Sequence, residues 1–328
     1  MRPATFLDLT ERYHLPLRYL PGSEIQAVQP PRELARVFEF SDFREFLFLF
    51  AAVSRSLVAP QDYARLASEF VRDAREQNVA YGEIFVSPSV WRFFHPELDV
   101  RECFAAMHHE FTRATDMTLR LIVDLTRNFG LESAMETAKL ACDLTDYGVV
   151  AVGLGGDEAR FPAKLFGDPF AYARASGLHT VAHAGEADGP QSVRSAILDL
   201  GAERIGHGVR ALEDDTVLAL LREKNIPCEV CPTSNYRTGV VGAQQEHPLG
   251  AMLAAGLPVV IDADDPTLFA TSISHEYALV AETFGLDVLN ACIERAITTS
   301  FADSREKARL AGLLVRANAA TNPLNKAL

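Results

Sequence analysis

The sequence predicts an α/β protein, a (β/α)8 barrel with its first strand missing and extra helices near the N-terminus and at the C-terminus. Three observations carry that reading. From about residue 80, short apolar runs alternate with amphipathic stretches. The runs are near-continuously apolar, as strands covered on both faces of a parallel sheet must be. Seven such runs follow one another, and no Gly-rich phosphate fingerprint supports an open doubly wound sheet instead.

The elements follow in order. ATFLDLTERYH (4–14) reads as an outer helix with no strand ahead of it, and 40–78 as two more helices. The expected strands are YGEIFVSPS (81–89), LRLIVDLTR (119–127), VVAVGLGG (149–156), HTVAHAGE (179–186), RIGHG (204–208), PCEVCPTSN (227–235) and PVVIDADDP (258–266). Between them lie stretches such as ESAMETAKLACDL and EDDTVLALLREKN, whose apolar residues recur at three and four, often closed by Gly or Asn. Three helical patterns from 272 to 320 complete the chain. No repeat, low-complexity tract or linker interrupts it, so residues 1–328 are expected to form one domain.

Composition excludes several classes of function. The chain has 328 residues, 48% of them hydrophobic, and a net charge of −13 from 31 Lys+Arg against 44 Asp+Glu. Nucleic-acid and anionic-membrane binding both need a basic footprint, so neither is expected. No run reaches the ~20 apolar residues of a membrane helix, and MRPATFLDLTERYH lacks the apolar core of a signal peptide. Five scattered cysteines read as free thiols in a reducing cytoplasm. Cys228 and Cys231, three apart on a strand, point opposite ways, so packing is expected of them rather than metal binding. A homo-oligomer is left open.

Barrel chemistry sits at the C-terminal ends of the strands. Those ends carry GLGGDE, HAGE, GHG, CPTSN and DADDP, while the opposite ends look apolar. His183, Glu186, His207, Asp264 and Asp265 thus gather on three strand ends. Any one of them alone has a bland structural explanation; five at one mouth do not. Imidazole with carboxylate suits zinc, whose bound water falls to a pKa of ~7. A further imidazole and acid would orient the water and protonate the leaving side. There is no G-x-S-x-G elbow for acyl transfer and no H-E-x-x-H. Alternation along the strand sends adjacent Asp264 and Asp265 to opposite faces.

LGGDE (154–158), HAGE (183–186), ERIGHG (203–208), EVCPTSN (229–235) and DDP (264–266), in this order and spacing, resemble the adenosine deaminase family of metal-dependent amidohydrolases with TIM-type barrels. The resemblance implies that His183 and Asp264 are zinc ligands and that Glu186 protonates purine N1. It implies that His207 orients the attacking hydroxide, that Asp265 bonds purine N7, and that the Gly156 N–H bonds N3. The implied reaction is zinc-dependent hydrolytic deamination of a 6-aminopurine, adenosine to inosine and ammonia. Adenine and 6-aminodeoxyfutalosine are the alternative substrates.

The family's opening strand carries H-x-H, two further zinc ligands, and this sequence begins just after the matching segment. Three accounts stand: the protein starts upstream of Met1, the chain is a catalytically degenerate purine-binding protein, or another histidine such as His14 or His275 completes the site. As it stands, the chain is expected to bind zinc weakly or not at all and to deaminate adenosine far below the family's rates.

Overall fold

A computed structural model describes residues 1–17, 36–40 and 43–321. Its sheet has seven parallel strands: β1 (Tyr81–Val86), β2 (Thr118–Asp124), β3 (Val149–Gly153), β4 (His179–Ala184), β5 (Arg204–His207), β6 (Cys228–Val230) and β7 (Val259–Ile261). Each pairs with the next in chain order. Parallel neighbours need a crossover, and helices such as Gly130–Cys142, Pro190–Leu198 and Asp215–Glu223 supply it where the helical periodicity was read.

The sheet is curled, and one ion pair demonstrates it. Arg204 on β5 places Nη1 2.6 Å from Glu83 Oε2 on β1. At ~4.8 Å per strand, four steps across a flat sheet would separate those strands by about 19 Å. The side chains meet only because the sheet wraps around them. Among the described residues no strand pairs with the outer edges of β1 and β7, which matches the expected gap at the first strand.

Period-two alternation divides the strand side chains. Leu121, Val123, Ala182 and Ile205 join the large core shared with the surrounding helices. Ile122, Ala151 and Val181 face the barrel interior, with Phe85 and Phe301 against them. A third group ties the N-terminal helices to the loop after β7: Phe6, Phe38, Phe46 and Leu49 pack with Leu268 and Phe269. The Phe46 and Phe269 rings stack at 4.8 Å. Each such buried side chain contributes about 1.5–3 kcal/mol, so the chain just after Asp265 is held from outside.

Two expectations need correction. The strands are shorter than the apolar runs. Pro232 starts the helix Pro232–Arg237, so Ser234 and Asn235 sit on a helix rather than a strand end. β7 ends at Ile261, before both aspartates of interest. The end opposite the expected site is also not merely apolar. Inside it, Arg204 Nε lies 2.7 Å from Glu229 Oε1, and the guanidinium covers the Phe301 ring at 3.9 Å. Asp262, recessed beside this cluster, is pushed up to about 7 by burial and then by the charge of Glu229. Glu83 and Glu229 each stand alone in an apolar run, and Arg204 follows Glu203 at the start of one, so only closure of the sheet reveals the cluster.

Candidate active site

The rim above the C-terminal strand ends is built on left-handed backbone. His207 (φ +63°), Asp264 (+54°) and Thr126 (+41°) take conformations L-residues rarely adopt, alongside Gly156 (+97°), Gly185 (+69°) and Gly208 (+67°). Such strain costs about 1–3 kcal/mol per non-glycine residue and clusters at functional sites. It also re-aims side chains. Arg204 and Gly206 face inward and Ile205 outward, so plain alternation would turn His207 outward; its positive φ brings it to the mouth instead. The same device, and not strand alternation, separates Asp264 from Asp265.

His183 lies in β4 paired with Gly206 of β5. A Cβ on Gly206 would come within 3.2 Å of the His183 ring, so that glycine makes room for the imidazole. His183 Nδ1 is buried with no hydrogen-bond partner. The His207 ring centroid lies 5.2 Å away and Phe85 presents its edge at 5.4 Å.

His207, 2% exposed, sets Nε2 3.5 Å from Glu186 Oε2 and 3.9 Å from Asp264 Oδ2. Burial opposes charging it, but Glu186 and Asp264 outweigh that and raise its pKa. Asp264 accepts a 2.6 Å bond from the Ser234 hydroxyl. Asp265 is pushed up to about 7 by burial and then by Asp264. Gly156 borders the same mouth through its loop, where a Cβ would overlap Asn128 Oδ1.

Two buried acids hold these loops. Asp124, at the end of β2, accepts from Gly155 N at 2.5 Å and from Thr126 Oγ1 at 2.5 Å. Glu158 accepts from four successive backbone N–H groups, Gly185 at 2.5 Å, Glu186 at 3.2 Å, Ala187 at 2.9 Å and Asp188 at 3.1 Å. Burial would raise the Glu158 pKa; the nearby Ser192 hydroxyl, the backbone donors and Arg127 prevail and lower it. Arg127 is fully buried beneath the rim and donates to the carbonyls of Phe161 and His183. Burial lowers its pKa against the pull of Glu158 and Asp124.

The structure therefore brings His183, Glu186, His207 and Asp264 to one mouth. His14 and His275 are exposed and do not join it. Sequence reasoning missed Glu158, Asp124, Arg127, Ser234, Asn235 and Cys231. Glu158 and Asn235 stood inside quoted motifs, and an acid or amide beyond a strand end was the available signal. Cys228 packs in the outer core as expected. Cys231 is buried as expected but near the rim: its Sγ, a His207 nitrogen and an Asp264 oxygen all lie within 4.8 Å of one another. Burial, followed by Asp264, holds its thiol well above the ordinary pKa, which keeps it protonated.

The unpartnered buried imidazole nitrogen of His183 and the Asp264 carboxylate are donors that suit a divalent cation of the zinc type. Histidines and acids gathered at the C-terminal rim of a curled parallel sheet lie where barrel proteins carry their chemistry. The family model described as adenosine deaminase matches residues 1–317. An aminodeoxyfutalosine deaminase of Streptomyces coelicolor is 40% identical over 290 residues, 86% of this chain and 74% of that protein. An adenosine deaminase of Klebsiella pneumoniae is 35% identical over 314 residues, 94% and 92% of the two chains. Among solved structures, an adenine deaminase from Arthrobacter aurescens superposes with a TM-score of 0.84 at 26% identity, covering 96% of this chain and 94% of that one. An amidohydrolase from Burkholderia ambifaria with bound Zn gives 0.81 at 25%, covering 97% and 86%. The chain belongs to the adenosine deaminase family, hydrolases that deaminate aminopurines by acting on C–N bonds. No helix among the described residues is long and apolar enough to cross a membrane.

Proposed function

We propose that this protein is a zinc-dependent deaminase of 6-aminopurine nucleosides, converting adenosine to inosine and ammonia within one barrel domain. The observation that carries the proposal is His207 Nε2 poised between Glu186 and Asp264, at 3.5 and 3.9 Å. His183 and Asp264 would hold the ion. When bound there, zinc would acidify the attacking water.

The chain's own residues do the rest. His207 orients the water towards C6 and supports the charge that develops there. Glu186 delivers a proton to N1 as C6 becomes tetrahedral, and the departing amine leaves as ammonia once protonated. Purine N7 only accepts, so Asp265 brings the proton to that bond. The Gly156 N–H serves N3, where the lack of a side chain lets the ring approach. The five cysteines, all unpaired, suit a cytoplasmic setting.

A second reading has its own support. Identity is higher to the aminodeoxyfutalosine deaminase than to the adenosine deaminase, 40% against 35%, which favours 6-aminodeoxyfutalosine as the alternative substrate. The test is to supply zinc to the purified chain and follow the ultraviolet change with adenosine, adenine and 6-aminodeoxyfutalosine side by side. Turnover of adenosine at the highest kcat/KM supports the first reading, and of aminodeoxyfutalosine the second. Tight purine binding with no turnover of any of them would overturn both in favour of a binding protein.

A further inference from the structure

We infer that Asn235 and His247 form a hydrogen-bond relay that fixes the tautomer of His207, keeping its proton on Nε2, the nitrogen that faces Glu186 and Asp264. This rests on the role proposed above for His207, but the tautomer itself can be read without turnover.

The argument starts from a group with no ambiguity. The backbone N–H of Leu249 can only donate, and it reaches His247 Nδ1 at 3.0 Å. That nitrogen is therefore the bare one, and Nε2 carries the hydrogen. Burial pushes the His247 pKa down to about 4, so the ring is neutral near pH 7. Its Nε2–H faces Asn235 Oδ1 at 3.1 Å, which orients the amide. Flipping the amide would set two donors against each other. Asn235 Nδ2 is then the group 3.2 Å from His207 Nδ1, and that nitrogen must accept. A neutral imidazole with an accepting Nδ1 carries its hydrogen on Nε2.

The relay crosses three segments: the end of β5, the helix Pro232–Arg237, and the chain just ahead of the helix Leu249–Ala254. A proton on Nδ1 would meet the Asn235 amide hydrogens head-on. Asn235 and His247 are positioning residues here: they act through His207 and govern which of its nitrogens presents the hydrogen.

The experiment uses the full chain, metal-free and labelled with 15N-histidine. Long-range proton–nitrogen spectra separate protonated from bare ring nitrogens, with assignment by single histidine substitutions. His207 is expected as the Nε2–H tautomer. Asn235→Asp replaces the donor by an acceptor and should move the proton to Nδ1, or add one there. In the zinc-loaded form, kcat should fall about 100-fold, while KM and zinc content stay close to the parent's. His247→Gln can accept from Leu249 and donate to Asn235 through one amide, and should restore the parent tautomer. His247→Leu cannot, and should give a mixture.

A parent spectrum with His207 protonated on Nδ1 would overturn the relay. So would an Nε2–H tautomer that persists in both Asn235→Asp and His247→Leu. If Asn235→Asp does not fold, the parent spectrum and the two His247 variants decide. A parent with the expected tautomer but no deamination of any aminopurine would remove the proposed function and leave the relay standing.

Discussion

Replacing Glu158 by Gln should loosen the loop that carries Glu186, because one carboxylate holds that whole loop. Its Oε1 accepts from Gly185, and its Oε2 from Glu186, Ala187 and Asp188. A glutamine keeps one acceptor oxygen. With that oxygen on the three-donor side, the new amide NH2 confronts the Gly185 N–H, donor against donor, where the present separation is 2.5 Å. The three surviving bonds fall from charge-assisted to neutral strength, and an unsatisfied buried donor costs ~1–3 kcal/mol. Arg127, fully buried, also loses the attraction of a nearby charge. These contributions overlap, so the net loss expected is about 3–5 kcal/mol, or a fall in Tm of about 4–7 °C for a chain of 328 residues. Glu186 should then drift from His207, and a displacement of ~1 Å can cost 10²-fold in rate. Circular dichroism melts, zinc content and steady-state kinetics on the same preparation read all three effects. A variant with its Tm within about 2 °C of the parent and undiminished kcat would refute the clamp.

Glu186→Gln should keep the fold and metal but reduce kcat by ~10²–10⁴; normal turnover in the zinc-loaded variant would remove Glu186 as the proton donor. Asp264→Ala should lower zinc occupancy, whereas Asp265→Ala should keep the metal and weaken purine binding. Equal metal loss in the two, measured by elemental analysis, would sink their separate roles. His247 predicts an acid-side loss of stability. Its folded pKa of about 4 lies below the ~6.5 of an unfolded histidine, so the unfolded state binds the proton first. Its contribution is complete above pH ~6.5 and declines as pH falls towards 4, by at most about 3 kcal/mol. Urea melts of the parent and His247→Gln between those pH values should diverge in slope; parallel curves would show that His247 is not buried neutral.

Much of this molecule was legible in the chain. Near-continuous apolar runs such as LRLIVD and HTVAHA, separated by amphipathic stretches, determine a parallel sheet under helices because both faces must be covered. The placement of HAGE, GHG and DADDP after those runs determines which residues reach the rim, since strand ends are local features. Direction was not local. His207 was placed at the mouth, though not how it gets there, and alternation misexplained the two aspartates, because strand ends at His207 and beyond Ile261 are turned by left-handed backbone that only the folded loop stabilises. Partnership was even less local. Glu83, Arg204 and Glu229 meet because the sheet curls, and Glu158 finds its four N–H donors about thirty residues away. Asn235 becomes a link between two histidines only when the helix starting at Pro232 lies beside β5. A sequence records which groups can donate, accept or ionise. Which donor faces which acceptor is set by the closure of the barrel, because burial lets no polar group there go without a partner cheaply.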